Sequence, residues 1–389
     1  MLRREIKQRP DLDKIALECG FNFHTIDGEV YWDESRYYQF TLAQIENDLE
    51  KPTKDIHDMC LDLVGEVVKD EELLSKLAIP PHLWDWVANS WKNSDPSLYG
   101  RLDFAYGGMG STAKLYELNY QTPTSIFEAS YFQWNWLADQ VERGNLPRRT
   151  NQFNFLQEQL VHRFAAMKPK LRGEKVYFSC AKNTDEDKGT VDYLRDCAHQ
   201  AGLETGFVYV EDIGATTFNE FADLNGEIIM NLFWLYPWEM AWEDPYSSIL
   251  TQNTTMYLEP AWKCILSNKG VLPLLWERYK GHPNLLPSYF EGEEQSDIGA
   301  NFVRKPLFSR EGQNIDVVKS GIITNSTDGG YADIARITQA FHPLPKFGDD
   351  YTLIGSWVIG DQPYGITIRE DKSLITADES RFIPHIILD

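Results

Sequence analysis

The chain has 389 residues, of which 42% are hydrophobic and 13% aromatic, with 12 Trp. That composition supports a large core divided into two or three lobes and excludes a disordered chain, which is poor in aromatics. A net charge of −22 without any run of Lys and Arg argues against nucleic-acid binding and favours cations, including metals and polyamines, near the surface.

The chain opens on MLRREIKQRPDLDK, which lacks the apolar core of a secretory leader. No later stretch approaches the roughly 20 apolar residues that span a bilayer. Five cysteines (Cys19, Cys60, Cys180, Cys197, Cys264) form no C-x-x-C pair, so neither a zinc ribbon nor a disulfide framework is expected. A reducing cytoplasm is the simplest setting.

Residues 40–95 are expected to be helical. TLAQIENDLEK and CLDLVGEVV space their apolar residues by three and four, and Pro80-Pro81 separates them from LWDWVANSW. Residues 98–125 predict a hairpin: LYGRLDFAY alternates, GGMGS turns, and AKLYELNY alternates again. GGMGS lacks the spacing of a phosphate-binding loop and is better accounted for as the turn. A helix follows over about 125–142. The segment 175–234 reads as strand EKVYFSC, amphipathic helix KGTVDYLRDCAHQAG, then strands in TGFVYV and EIIMNLFW. This predicts a small parallel sheet without a dinucleotide fingerprint. From about 255 onward helices give way to the strand candidates FVRKPLF, NIDVVKSGIITN, YTLIGSWVIG and PYGITIRE.

The hairpin gathers an unusual set of groups. Arg101, Asp103 and Ala105 share one strand face, with Leu102, Phe104 and Tyr106 on the other, while Leu115, Glu117 and Asn119 share a face of the return strand. A turn centred near Gly110 sets Asp103 opposite Glu117 and Arg101 opposite Asn119. Facing carboxylates repel, and a bound cation removes the penalty. Asp, Glu and Asn offer only oxygen, which suits Mg²⁺. Arg101 could offset charge on a transferring phosphoryl group. The alternative is a solvated face on which Arg101 simply pairs with Asp103.

Farther on, Lys269, Lys305, the polar loop Arg310-Glu311-Gly312-Gln313-Asn314 and Arg369 have the makings of a nucleotide clamp, with the loop closing over a triphosphate. Singly, each is an ordinary surface residue. The tryptophan clusters fit packed helices and strand ends, with an aromatic sugar platform as a distant alternative. The eight histidines form no H-x-x-x-H pair, and there is no G-x-S-x-G elbow.

LYGRLDFAY followed by KLYELNYQTPTSIFEASYFQWNWL, then ILSNKGVLPLLW, FVRKPLFSREGQNI and YGITIRED in the same order, resemble the glutathionylspermidine synthase family of ATP-grasp ligases. The resemblance covers nearly the whole chain and leaves no room for the N-terminal amidase domain of some members. It is closest in kind to the stand-alone synthetase members, regarded as acid–amine ligases. It implies an α/β (α+β) ATP-grasp fold in one integrated unit over 1–389. Within it, about 171–240 would form a small Rossmann-like pre-ATP-grasp subdomain and about 255–389 the ATP-grasp lobes, with the 98–125 hairpin at the ATP/Mg²⁺ site.

By the same resemblance, Asp103, Glu117 and Asn119 match magnesium ligands, for what are expected to be two ions. Arg101 matches the arginine that contacts ATP and stabilises the transition state. Leu102, Asp103, Lys269, Lys305, Gly312, Gln339 and Leu374 complete the ATP set. Thr122 and Thr124 match hydroxyls near a thiol-peptide substrate, and Arg310 and Arg369 the arginines near the reacting carboxylate. The implied activity joins a small carboxylic acid, peptide- or glutathione-like, to an amine such as a polyamine, through an acyl phosphate, releasing ADP and phosphate. The sequence departs from the family at Trp234-Leu235-Tyr236-Pro237-Trp238-Glu239-Met240, where Leu235 and Met240 stand in place of substrate-holding threonines. That removes some of the footing for glutathione and spermidine in particular. Asp185-Glu186-Asp187 is a candidate acidic site for the amine. Two other readings fit a nucleotide site: a different phosphoryl-transfer enzyme, such as a kinase, and a non-catalytic nucleotide-binding protein.

Overall fold

The computed structural model describes residues 1–26, 28–376 and 380–389 as a mixed α/β protein. The helical run forms where the apolar spacing predicts. Helix Lys51–Val67 buries Ile56, Cys60, Leu63, Val64 and Val67, a stripe at three- and four-residue steps. Thr41 opens the preceding turn with a capping box to Gln44. Trp84–Lys92 is helical as expected. The helix expected over 125–142 is two pieces, a π-helical turn Glu128–Phe132 and the α-helix Gln133–Glu142.

Two antiparallel sheets frame a large cavity. The first is six-stranded: Arg381–Ile383, Gln362–Asp371, Asp350–Ile359, Tyr99–Ala105 and Lys114–Asn119 in that order, with the short strand Lys346–Phe347 beside Asp350–Ile359. The second is five-stranded: Ser288–Phe290, Arg336–Ala340, Asn301–Pro306, Asp316–Lys319 and Ile322–Ser326. A third, parallel sheet runs Met256–Leu258, Asn231–Leu235, Lys175–Cys180, Glu204–Phe207. Helix Asp185–Gln200 connects two of its strands, the connection a parallel pair requires.

The N-terminal region holds elements with no periodic signal. Strand Leu2–Glu5 pairs antiparallel with Arg36–Phe40, which pairs in parallel with His385–Ile387. These strands are too short for alternation to stand out. Helix Leu156–Met167 was also not evident from the sequence. Among the described residues, no helix is long and apolar enough to cross a membrane, and all five cysteines are free.

The hairpin register is the one that a turn centred near Gly110 would give: Arg101 pairs with Asn119 and Asp103 with Glu117. A bulge after Asp103 shifts the next pair to Phe104–Leu115, a feature that alternation does not reveal. GGMGS is a turn. Gly108 and Gly110 have φ of +95° and +84°, and none of its residues lines the large cavity.

Candidate active site

The cavity encloses about 690 Å³, a volume suited to a nucleotide-sized ligand. Arg101, Asp103, Glu117, Asn119, Thr122, Thr124, Lys269, Lys305, Arg310, Gly312, Gln339, Arg369 and Leu374 all line it. Leu102 does not. It is fully buried on the opposite sheet face, as strand alternation requires, so the expectation that it contacts ATP finds no side-chain support.

On the hairpin face, Arg101 forks onto Asp103, with Nε donating to Oδ1 at 2.7 Å and Nη2 to Oδ2 at 3.0 Å. Its Nη1 donates to the Thr124 carbonyl at 3.2 Å, and its guanidinium lies 5.5 Å from the Trp357 ring centre. Asn119 Nδ2 donates to Asp103 Oδ2 at 3.1 Å and to Glu117 Oε1 at 3.3 Å. Arg101 does pair with Asp103, but the pair is not on a solvated surface, since Asp103 is only 2% exposed.

Two lysines approach from other elements. Lys269 Nζ sits 3.3 Å from Glu117 Oε2 and donates to the Ser309 carbonyl at 2.5 Å. Lys305, on the five-stranded sheet, donates to the Tyr116 carbonyl at 2.9 Å and to Gln339 Oε1 at 2.8 Å. Gln339 Nε2 in turn donates to the Leu115 carbonyl at 3.4 Å. Lys305 and Gln339 thereby tie the two sheets together at the cavity wall.

The charges pull the two acids apart. Burial pushes both carboxyls up. For Glu117 this is outweighed by Lys269, Lys305 and Arg101, which hold it down at about 2. Asp103 stays above its ordinary value because burial dominates, and the Glu117 charge adds to it. Burial lowers Lys305 to about 8. Perturbed groups converging in one cavity mark it as a candidate for chemistry.

Asp103, Glu117 and Asn119 suit a hard divalent cation by donor chemistry, since the Asn119 amide already reaches both carboxylates and can turn its oxygen inward. Among the described residues, no group of three or more His, Cys, Asp and Glu is placed to hold a metal ion by itself. A site of two carboxylates and an amide matches Mg²⁺, which completes its shell with water and phosphate oxygens rather than with protein groups alone.

The loop after Lys305 is anchored at the cavity. Arg310 Nη1 donates to Thr122 Oγ1 at 2.5 Å and Nη2 to Glu239 Oε1 at 2.7 Å. Gly312 has φ +68°, and a Cβ there would stand 2.6 Å from the Thr376 carbonyl oxygen, so only glycine lets the loop lie against 374–376. Leu235 lines the cavity whereas Met240 does not. Asp185, Glu186 and Asp187, in the first turn of helix Asp185–Gln200, line its far side. Sequence reasoning gave no role to Glu239, Glu128 or Tyr31. Their partners lie 71, 97 and 155 residues away, and no local spacing announces such contacts.

A protein of Haemophilus influenzae named "Putative acid--amine ligase" is 38% identical over 390 residues, 97% of each chain. The trypanothione synthetase of Crithidia fasciculata is 27% identical over 354 residues, 84% of this chain and 53% of that protein. The bifunctional glutathionylspermidine synthetase/amidase of Escherichia coli K12 is 26% identical over 388 residues, 93% of this chain and 61% of that protein. The chain thus spans little more than half of those two longer relatives. A glutathione synthetase-like effector of Globodera pallida has a similar fold, with TM-score 0.56, 10% identity and 98% of each chain covered. These relatives place the chain in a class: it is a ligase that forms an amide bond. The family model for "Glutathionylspermidine synthase preATP-grasp" matches residues 3–388. The chain belongs to the glutathionylspermidine synthase family.

Proposed function

We propose that the chain is an ATP- and Mg²⁺-dependent acid–amine ligase of ATP-grasp type, with the nucleotide held between the six- and five-stranded sheets. The observation that carries this reading is the meeting of Arg101, Asp103, Glu117 and Asn119 with Lys269, Lys305 and Gln339 in one cavity. ATP as cosubstrate is what membership of a synthetase family implies. In this reading the chain acts as one unit. About 171–240 is its Rossmann-like subdomain, joined by the parallel strand Met256–Leu258, and about 255–389 supplies the grasping lobes.

The acid's carboxylate, held by Arg310 and Arg369, attacks the γ-phosphorus of ATP. ADP leaves with the electron pair of the broken P–O bond, and an acyl phosphate forms. Lys269 and Lys305 hold phosphate oxygens, and Arg101 offsets charge that develops on the transferring group. Asp103, Glu117 and Asn119 would hold Mg²⁺, which when bound neutralises phosphate charge. Gly312 and its neighbours cover the site and keep water off the acyl phosphate. An amine then attacks the acyl carbon, and phosphate departs.

Thr122 and Thr124 border the acid's end of the cavity, and Asp185-Glu186-Asp187 provides an anionic wall suited to a cationic amine such as a polyamine. A peptide-like acid of the glutathione kind fits the relatives' names, while Leu235 removes a hydroxyl from the cavity wall. The test is a phosphate-release screen with ATP, Mg²⁺ and pooled acids and amines. A ligase releases ADP and phosphate only when both partners are present. Asp103→Asn is expected to abolish that turnover with an unchanged circular-dichroism spectrum, and undiminished turnover would refute the metal assignment.

A further inference from the structure

Behind the acidic wall lies a buried chain of groups that phosphoryl transfer does not use. Tyr31 Oη stands 2.9 Å from Glu128 Oε1 and 3.0 Å from Glu186 Oε1. A phenol has one hydrogen to donate, so it can serve only one of the two carboxylates. The second contact becomes a hydrogen bond only when a carboxyl itself carries a proton and donates to the phenol oxygen. One phenol hydrogen therefore stands between two acids.

Its two ends differ. Glu186 lines the cavity. Glu128 is 1% exposed, on the turn Glu128–Phe132, and its Oε2 has no hydrogen-bond partner among the described residues. Tyr31 is 1% exposed and packed against the rings of Phe21, Phe23 and Phe382, so the phenol is held in line.

We propose that Tyr31 and Glu128 form a proton relay behind Glu186, which takes the proton that a cationic amine must lose before it can attack the acyl phosphate. The proposal rests on the ligase reading. An alkylammonium at Glu186 gives its proton to Glu186. Glu186 passes a proton to the Tyr31 oxygen as the Tyr31 hydrogen moves to Glu128. The neutral amine forms the C–N bond, the C–O bond to phosphate breaks, and the leaving phosphate carries off the second amine proton. One proton ends on Glu128 and one on phosphate.

The electrostatics agree. Burial raises Glu128 to about 7, although Tyr31, Arg369 and Arg101 all favour its ionised form. Tyr31 is raised far above its ordinary value by burial, with Glu128 and Glu186 adding to the effect and Arg369 opposing it, so the phenol hands protons on rather than losing its own. A receiver near 7 is matched to neutral conditions.

The experiment compares wild type with the near-isosteric variants Tyr31→Phe and Glu128→Gln. ADP release is measured with glutathione plus spermidine and with glutathione plus hydroxylamine, a nucleophile largely uncharged at neutral pH. The relay predicts that both variants slow the spermidine reaction by about 100-fold and retain the hydroxylamine reaction. The wild-type spermidine rate should rise with pH through neutrality, and the Glu128→Gln profile should lose that rise. Infrared spectra of the substrate-free protein should show a protonated-carboxyl band that titrates near neutral pH and is missing in Glu128→Gln. Equal slowing with both nucleophiles, no slowing with either, or a band that persists in Glu128→Gln overturns the relay. A wild type that releases no ADP with either nucleophile overturns the ligase reading for these substrates, and the infrared titration then decides the relay by itself.

Discussion

Lys305 shows how one side chain can set a working pH range. It is a buried cation whose charge is lost as pH rises through about 8, because burial lowers it while Glu117 and Asp103 only partly restore it. Its charge is present below that value, so kcat/KM for ATP is expected to fall above about pH 8. In Lys305→Arg, whose guanidinium keeps its proton, that fall should move beyond the measured range, and a pH profile of ATP-dependent phosphate release checks this. At this scale the sequence was informative where chemistry repeats locally. Arg101, Asp103, Glu117 and Asn119 declare themselves because strand alternation puts them on one face. Leu102 turns its side chain away from the cavity because a neighbour in sequence is an opposite in a strand. Glu239, Tyr31 and Glu128 could not be found, since what defines them is burial beside residues far along the chain.

Among elements, the pairing of Tyr99–Ala105 with Asp350–Ile359 positions the arginine. Gly355 lies opposite Asp103, and a Cβ on it would stand 2.8 Å from Arg101 Cδ and 2.7 Å from Thr367 Oγ1. The strand needs glycine there because the Arg101 stem crosses directly over its backbone. Gly355→Ala should push that stem aside and loosen its fork on Asp103. The expected result is a drop of about 10-fold or more in kcat with the melting temperature little changed, because small misplacements of a charged group are costly to rate. A melting temperature that collapses together with activity would count against this account. The hairpin was legible from alternation and the parallel unit from its strand–helix–strand order, while the hairpin's register rests on an assumed turn centre, since a loop this long does not fix it. The strands Asn301–Pro306, Asp316–Lys319 and Asp350–Ile359 were legible as strands, but which segments they pair with was not, because pairing between distant segments leaves no periodic mark in either.

Across the whole molecule, the two ends of the chain share one sheet and one charge cluster. Arg3 donates from Nε to Glu370 Oε1 at 2.7 Å and from Nη2 to Asp350 Oδ2 at 2.7 Å. Glu370 is fully buried and also accepts from Tyr38. Removing one member of a buried pair leaves the other uncompensated. Arg3→Met should therefore cost about 2 kcal/mol, less than for an isolated pair because Arg381 also reaches Asp350 and Glu370. Denaturant melts measure that loss, and ATP affinity should be unchanged because Arg3 lies outside the cavity. The closure of the chain on itself bears on how the protein is made. Tyr99–Ala105 gains its inner neighbour only from 350–359, and Arg36–Phe40 gains one of its two neighbours from 385–387. A growing chain must therefore carry open strand edges until the stretch holding those residues has left the ribosome. Such long-range pairing makes folding slow and leaves unpaired strands open to aggregation. The strand that carries Arg101 and Asp103 in this ligase is thus flanked on both edges only once 350–359 has been made, some 245 residues after it.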